Sequence, residues 1–258
     1  MSNFIKDFWE SQAVKHQTHH SASWGDNFAI DLEVATIGKH INEGDVVLDM
    51  GCANGFASFR QLADRKPAKI YGVDYAANMV KYANQVRDEY PEKDKLEFTE
   101  GDIREIAFED NKFDVVYTTR VIINLPNWED QKKAIDECMR VTKKGGTVVF
   151  SEAFYEPLQL LNAMRALKQL PPLVEHDFNR YIKKDRMEKY LAEKGYSFEC
   201  DEFSSIYYLG SRFLRELVTN PADYAGYSNP INEVFYGIEK DFSGGGFGIQ
   251  QAYIVKKS

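Results

Sequence analysis

Three acidic residues and a pair of glycines in the first half of the chain have the types and spacing for ligand chemistry. Val-Val-Leu-Asp-Met-Gly-Cys-Ala-Asn-Gly occupies 46–55. A strand ending near Asp49 must turn sharply into a helix here. Gly51 and Gly55 suit that turn, because glycine takes positive φ and lets a ligand approach the backbone. The helix N-terminus that follows aims free N–H groups outward, a good seat for a small anion such as an amino-acid carboxylate. Ile-Tyr-Gly-Val-Asp ends at Asp74, 19 residues after Gly55. An acid at the end of a second strand accepts hydrogen bonds from ribose hydroxyls; Asp74 reads equally as the N-cap of the helix that follows. Glu-Gly-Asp-Ile at 100–103 offers Asp102 to an adenine amino group and Ile103 to the face of the base. A dinucleotide fingerprint needs Gly-x-Gly-x-x-Gly, whose second glycine admits a pyrophosphate. Ala53 and Phe56 stand where its second and third glycines belong, so a nucleoside without phosphates fits better.

These residues need strands to end beside one another. From residue 45 short apolar runs alternate with helical patterns. Val46–Leu48, Ile70–Val73, Leu96–Phe98, Phe113–Tyr117 and Thr147–Phe150 read as strands; Phe56–Arg65, Ala76–Tyr90 and Trp128–Thr142 read as helices. Such alternation predicts a doubly wound α/β fold, with a mostly parallel seven-stranded sheet and ligands at the strands' C-terminal edge. Further on, Leu158–Leu170 and Lys184–Lys194 read as helices, and Phe198–Tyr207 and Ile249–Val255 as strands. Three parts are expected: a helical N-terminal lid over 1–44, a cofactor-binding core over 45–155, and the rest of the sheet over 156–258. Within the last part, 156–183 and 207–246 fit no strand–helix repeat and are expected to cap the strand edge.

Five segments, taken in order, resemble the class I S-adenosylmethionine-dependent methyltransferase family over roughly residues 40–155. They are Leu-Asp-Met-Gly-Cys-Ala-Asn-Gly, Val-Asp-Tyr-Ala-Ala-Asn-Met at 73–79, Gly-Asp-Ile, Phe-Asp-Val-Val-Tyr at 113–117 and Lys-Lys-Gly-Gly-Thr at 143–147. The resemblance implies S-adenosylmethionine as cofactor, Asp74 on its ribose, Met79 against its adenine and Asp102 near the adenine amine. Asp49, Gly51, Ala53, Asn54, Gly55, Tyr75, Ile103, Thr119, Arg120 and Trp24 complete the expected cofactor set. Ala53 replaces the commoner glycine of the first motif. Three more distal segments are similar to a bacterial subgroup often found with surface-polysaccharide biosynthesis: 120–129, 203–212 and 248–255.

Methyl transfer from a sulfonium is an in-line displacement, so the protein's task is alignment and a dry site. Thr-Thr-Arg-Val-Ile-Ile-Asn at 118–124 follows the fourth strand, where the methyl group should lie. Arg120 reads either as an anchor for a carboxylate or phosphate or as a partner of a local acid. Asn124 reads as a group that orients the acceptor, or as a turn residue before Leu-Pro. In Glu-His-Asp-Phe-Asn-Arg-Tyr at 175–181, His176 is a candidate general base or a structural histidine, and Asn179 a candidate substrate ligand. Tyr208 and Arg212, four apart, would share one helical face and clamp an anionic substrate, or belong to an ordinary amphipathic helix. Trp24 closes the lid or simply packs in the core.

The expected reaction is methylation of N or O on a small polar, anionic metabolite. A sugar nucleotide or a phosphorylated amino alcohol fits, with capsule or polysaccharide biosynthesis as the setting. The alternatives are a protein or peptide N-methyltransferase and a non-catalytic cofactor-binding sensor. The 258 residues carry a net charge of −8, which repels phosphate backbones and argues against nucleic acid. The N-terminus has no basic region before an apolar run, and no stretch of 18 apolar residues occurs, so neither a signal peptide nor a membrane span is expected. Three dispersed cysteines fit a reducing, cytoplasmic setting and form no metal pattern. His16, His19 and His20 have few acids nearby, so no metal is expected.

Overall fold

The computed structural model describes residues 3–220, 223–224 and 227–258. Part of the second expected addition, 221–222 and 225–226, therefore lies outside the described residues, as do residues 1–2 of the lid. Seven strands form one sheet: β1 (Val46–Met50), β2 (Lys69–Asp74), β3 (Leu96–Glu100), β4 (Phe113–Thr119), β5 (Thr142–Ala153), β6 (Ser197–Asp201) and β7 (Gln250–Lys256). Their order is β3-β2-β1-β4-β5-β7-β6. β1 to β5 pair in parallel, while β7 runs antiparallel between β5 and β6. The mostly parallel doubly wound fold read from the sequence is the fold observed. Val47, Leu48, Val116, Val148 and Val149 are fully buried, as expected for strands covered on both faces. The order reverses between β1 and β4, which opens a crevice at their C-terminal ends.

Helices α1 (Asn3–His16) and α2 (Asn27–Gly38) precede the sheet; α3 (Phe56–Arg65), α4 (Ala77–Glu89) and α5 (Trp128–Val141) lie between its strands. Each begins for a local reason. Asp26 accepts the Ala29 N–H at 3.2 Å and starts α2. Asn127 accepts the Asp130 N–H at 2.9 Å and starts α5, whose first turn is acidic, complementing the helix dipole. α4 has no cap of its own. Glu10 of α1 accepts its Ala77 and Asn78 N–H groups at 2.7 and 3.0 Å, docking the N-terminal helix across the start of α4.

The remaining helices are α6 (Tyr155–Leu167), α7 (Lys184–Glu193), α8 (Ser205–Leu209), α9 (Arg215–Val218) and α10 (Ile231–Asp241). The strand expected over Phe198–Tyr207 ends at Asp201, and residues 205–218 form one irregular helix, with a π turn at Gly210–Leu214 between α8 and α9. Two contacts from distant segments redirect the chain. The Ser204 hydroxyl donates to the Gln250 carbonyl at 2.6 Å, and Glu239 of α10 accepts the Tyr207 N–H at 2.7 Å. α10 packs on α2 and on α8. Gly210 makes that approach possible: a β-carbon there would fall 2.0 Å from Phe235 Cγ. Gly210→Ala is therefore expected to cost about 1–3 kcal/mol through overpacking, read as a lower urea midpoint at unchanged slope.

Candidate cofactor cleft

β1 leads into the crevice through a turn of left-handed residues. Gly51, Ala53 and Gly55 have φ of 86°, 47° and 82°. A β-carbon on Gly51 would sit 2.0 Å from Val121 Cγ2, so the turn after β4 closes on a glycine that has nothing to displace. Ala53, the departure from the commoner glycine, is held in its strained conformation by Asp74, which accepts the Ala53 N–H at 2.9 Å. The second Asp74 oxygen accepts the Ala76 N–H at 2.9 Å. This acid thus ties the first and second strand ends together. Asp49 is 1 % exposed and accepts the Ser58 hydroxyl at 2.6 Å.

Two adjoining hollows, one larger than the other, meet at Ser23, Gly51, Ala53, Thr119 and Arg120. The larger is also lined by Trp9, Asp74, Tyr75, Met79, Val121 and Asn124. The smaller adds Glu33, Asp49, Asn54 and Phe56 among others. Several polar atoms on these walls are buried without a hydrogen-bond partner: Tyr75 Oη, Thr119 Oγ1, Arg120 Nε, Asn54 Oδ1 and Asn124 Oδ1. Buried polar atoms are ordinarily satisfied, so this set offers hydrogen-bonding groups that a ligand or water could complete.

Of the residues expected around the cofactor, Asp49, Gly51, Ala53, Asn54, Asp74, Tyr75, Met79, Thr119 and Arg120 line the two hollows, as does Asn124. Gly55 stands at the start of α3. Trp24 stacks under Arg120, with the guanidinium carbon 4.6 Å from the ring centroid, and donates its indole N–H to Tyr227 at 3.1 Å. Ile103 is in the main core. Asp102 is gripped by Arg104, which reaches it with Nη2 at 2.6 Å, Nε at 3.0 Å and the backbone N–H at 2.9 Å. Burial pushes its pKa up, but the Arg104 bonds outweigh this and leave it lowered.

The acceptor-side expectations fare differently. His176 is exposed, its ring packed on Phe8 and Phe178 at 5.5 and 4.5 Å. Neither it nor Asn179 is among the residues lining the hollows. Tyr208 and Arg212 do stack, at 5.0 Å, but they face inward. Arg212 bonds to Asp26 at 2.5 Å, the acid fully buried, while the Tyr208 hydroxyl donates to Gln250 at 3.3 Å. Arg120 keeps both of its readings: it lines the cleft and lies 3.4 Å from Glu33. Sequence patterns gave no sign of Trp9, Ser23 or Glu33 on the cleft wall. They come from the N-terminal segment, where no motif marks them.

A family model described as a methyltransferase domain matches residues 41–195. The chain belongs to the methyltransferase domain family. Its cofactor is S-adenosylmethionine, and the two-lobed cleft with its unsatisfied polar wall fits a ligand made of a nucleoside joined to an amino acid. Among curated relatives, a probable methyltransferase of Aspergillus luteorubrus is 29% identical over 56% of this chain and 50% of its own length. The erythromycin 3''-O-methyltransferase of Saccharopolyspora erythraea is 32% identical over 46% of this chain and 38% of its own. The matches thus span about half or less of these relatives. Among solved structures, a chain of the complex between the Haloferax volcanii Trm112 methyltransferase activator and a putative methyltransferase superposes with a TM-score of 0.63. It shares 16% identity, with 99% of this chain and 97% of that one covered. A geranyl diphosphate methyltransferase bound to GPP and sinefungin gives 0.60 at 14% identity, over 98% and 96% of the two chains. At such identities the likeness is one of fold. Among the described residues no helix is long and apolar enough to cross a membrane, and no cluster of three His, Cys, Asp or Glu is placed to hold a metal.

Two outcomes follow for the acids of this site. If Arg212 is a partner for Asp26 rather than a free substrate clamp, Arg212→Met leaves a buried carboxylate without its cation, though still bonded to Tyr207 and the Ala29 N–H, and lowers unfolding free energy by about 3–5 kcal/mol; equilibrium urea unfolding reads this. Burial raises Asp49 and Glu152 to about 7 and Asp74 to about 6. Acids raised on folding bind more protons in the folded state, so their contribution is greatest below the unfolded carboxylate range and is lost as pH rises through 7. Asp31, Asp102, Asp114 and Glu137 are lowered and act in the opposite sense at more acid pH. The cofactor-free protein is expected to melt at a higher temperature at pH 5.5 than at pH 8, in a calorimetric scan.

Proposed function

We propose that this protein transfers the methyl group of S-adenosylmethionine to a nitrogen or oxygen of a small polar acceptor taken in beneath the N-terminal lid. The observation that carries the reading is the buried, unpartnered Asn124 Oδ1 on the wall that also holds Thr119 and Arg120. An acceptor N–H or O–H directed to that oxygen would be oriented as it approaches. In the larger lobe Asp74 would take the ribose hydroxyls, with Met79 and Trp9 against the adenine. Asp102 would reach the adenine amine only by sharing its carboxylate with Arg104. In the smaller lobe Asp49, Asn54 and the first amides of α3 would hold the amino-acid end, with Arg120 beside its carboxylate. The bound cofactor supplies an electrophilic methyl group; the protein aligns the partners and excludes water.

The acceptor class is narrower than the arginines suggested in the sequence. Arg212 is committed to Asp26, and Arg120 is shared with Glu33. A sugar nucleotide or phosphorylated amino alcohol, with a role in polysaccharide biosynthesis, would have to hold its phosphate on Arg120 against that competition. We infer an acceptor that is polar and at most weakly anionic. Among the described residues no histidine lines the cleft, which favours an amine, able to arrive already deprotonated. Trp9, Ser23 and Trp24 from the lid cover the cleft or its rim, and this favours a small molecule over a peptide lying in an open groove. A cap of this size also exceeds the needs of a sensor.

Titration calorimetry with S-adenosylmethionine tests the cofactor half. Asp74→Ala removes charged hydrogen bonds worth about 1.5–3 kcal/mol each and should weaken binding at least tenfold; absence of binding by the wild type at millimolar cofactor would overturn the proposal. With an acceptor found by screening small amines and alcohols for S-adenosylhomocysteine release, Asn124→Ala should lower turnover while leaving cofactor affinity within a few-fold.

A further inference from the structure

Glu152 stands at the end of β5, fully buried, and carries no part of the reading above. Its four bonds all come from one six-residue stretch. Oε1 accepts the Thr118 hydroxyl at 2.7 Å and the Val121 and Ile122 N–H groups, each at 3.1 Å. Oε2 accepts the Ile123 N–H at 3.3 Å. None of its hydrogen-bond partners is a cation. A buried carboxylate is expensive unless its lone pairs are met, and here they are met by main-chain groups of a single turn.

That turn is the one that faces the cofactor cleft. Arg120 adopts φ of 57°, a conformation that a non-glycine residue holds only when its surroundings impose it. Its N–H donates to the Ser151 carbonyl at 2.8 Å, so Ser151 and Glu152 together fix the turn from the neighbouring strand. Ile122–Asn124 is a short 3-10 turn without a side-chain cap of its own. The first N–H groups of such a turn have no partner inside it, and Glu152 supplies one from outside. The Asn124 side-chain N–H in turn donates to the Arg120 carbonyl at 2.6 Å. This leaves Oδ1 buried and unpartnered, on a residue that lines the cleft.

We propose that Glu152 is the positioning residue of the acceptor side, setting the 118–124 turn so that Asn124 Oδ1 and the Arg120 guanidinium face the reacting groups. The assignment of those two groups to the reaction rests on the function proposed above; the clamp itself does not. A glutamine would keep the volume, but it would turn an N–H₂ group toward main-chain N–H donors and so could satisfy only part of the set.

Hydrogen–deuterium exchange on the cofactor-free protein tests the clamp without any substrate. In Glu152→Gln the amides of Val121, Ile122 and Ile123 are expected to exchange at least tenfold faster, while those of β1 and of Val115–Tyr117 in β4 keep their wild-type protection. With S-adenosylmethionine as the probe, the dissociation constant should rise several-fold, because Thr119 and Arg120 lie on the shifted turn. Unchanged exchange at 121–123, or equal acceleration throughout the sheet, overturns the proposal; the second result would mean that Glu152 merely stabilises the fold. Should Glu152→Gln not fold, Thr118→Val removes one donor and no charge. It is then expected to speed exchange about threefold at 121–123 alone, and wild-type rates there would count against the clamp. If the wild type fails to bind S-adenosylmethionine, the proposed function falls, and the exchange data still decide the role of Glu152.

Discussion

Val121 Cγ2 occupies the space where a β-carbon of Gly51 would be, and the cleft is built around that contact. The turns after β1 and β4 come from strands adjacent in the sheet, so both leave its C-terminal edge at the point where strand order reverses. A side chain at position 51 would hold them apart. Without one, they meet, and the two hollows open on either side of the seam. Asn54, Thr119, Arg120 and Asn124 lie on or beside these two turns, and Asp49 and Asp74 at the strand ends next to them. Asp74 then braces the first turn through Ala53, and Glu152 braces the second through Val121, Ile122 and Ile123. The site is thus two main-chain loops, each held by a buried carboxylate from the neighbouring strand.

Holding loops with carboxylates has an electrostatic consequence. Asp49, Asp74, Glu33 and Glu152 are all raised, with burial the largest cause in each. Their N–H and O–H partners pull the other way without cancelling the loss of water. A cation would have cancelled it, yet only Glu33 has an arginine at hand, and that one only at 3.4 Å. Asp49, Asp74 and Glu33 line the hollows, so the floor of the cleft carries acids whose charged forms burial disfavours and a nearby cation would favour. A ligand with a sulfonium and an ammonium group is matched to such a floor, whereas a diphosphate is not. This agrees with the exclusion of dinucleotides argued from Ala53 and Phe56 on steric grounds alone.

Most of the residues expected around a cofactor do line the hollows, Trp24, Gly55, Asp102 and Ile103 excepted, and they were legible in the sequence because their logic is local. Glycine turn, strand-end acid and alternating elements are each written within about ten residues, and the observed strands and helices of the core differ from the expected ones mostly at their ends. The acceptor half was not legible, for a physical reason. The meaning of an arginine depends on its partner, and the partners are far away: Asp26 lies 186 residues before Arg212, and Glu33 precedes Arg120 by most of the core. A helical face drawn through Tyr208 and Arg212 is correct, but which way it points is decided by α10 and α2. His176 looked chemical by type alone; in the fold its ring rests on Phe8 and Phe178, away from the hollows. Phe198–Tyr207 looks like a strand in the sequence, but Gln250 and Glu239, far along the chain, bond to Ser204 and Tyr207 where it turns helical.

Residues 24–33 deserve their place in any account of the acceptor, because they connect parts of the molecule that otherwise barely meet. Trp24 joins Arg120 to Tyr227. Asp26 binds Arg212 and the Tyr207 hydroxyl, the latter at 2.6 Å. Asp31 holds Arg60 of α3 at 2.5 Å and the Tyr236 hydroxyl of α10. Glu33 accepts from Ser151 at 2.7 Å and Gln250 at 2.8 Å. In this way one short segment contacts the glycine-turn helix, the end of β5, the start of β7 and the cap helices. Its acids pair with Arg212 and Arg60 and lie beside Arg120, and its tryptophan stacks on the Arg120 guanidinium. Of the two arginines that suggested an anionic acceptor, Arg212 is paired with Asp26 in the folded chain, while Arg120 both lines the cleft and lies beside Glu33. On the function proposed above, the acceptor would meet Thr119 and Asn124 beside Arg120, on the turn that Glu152 is proposed to hold.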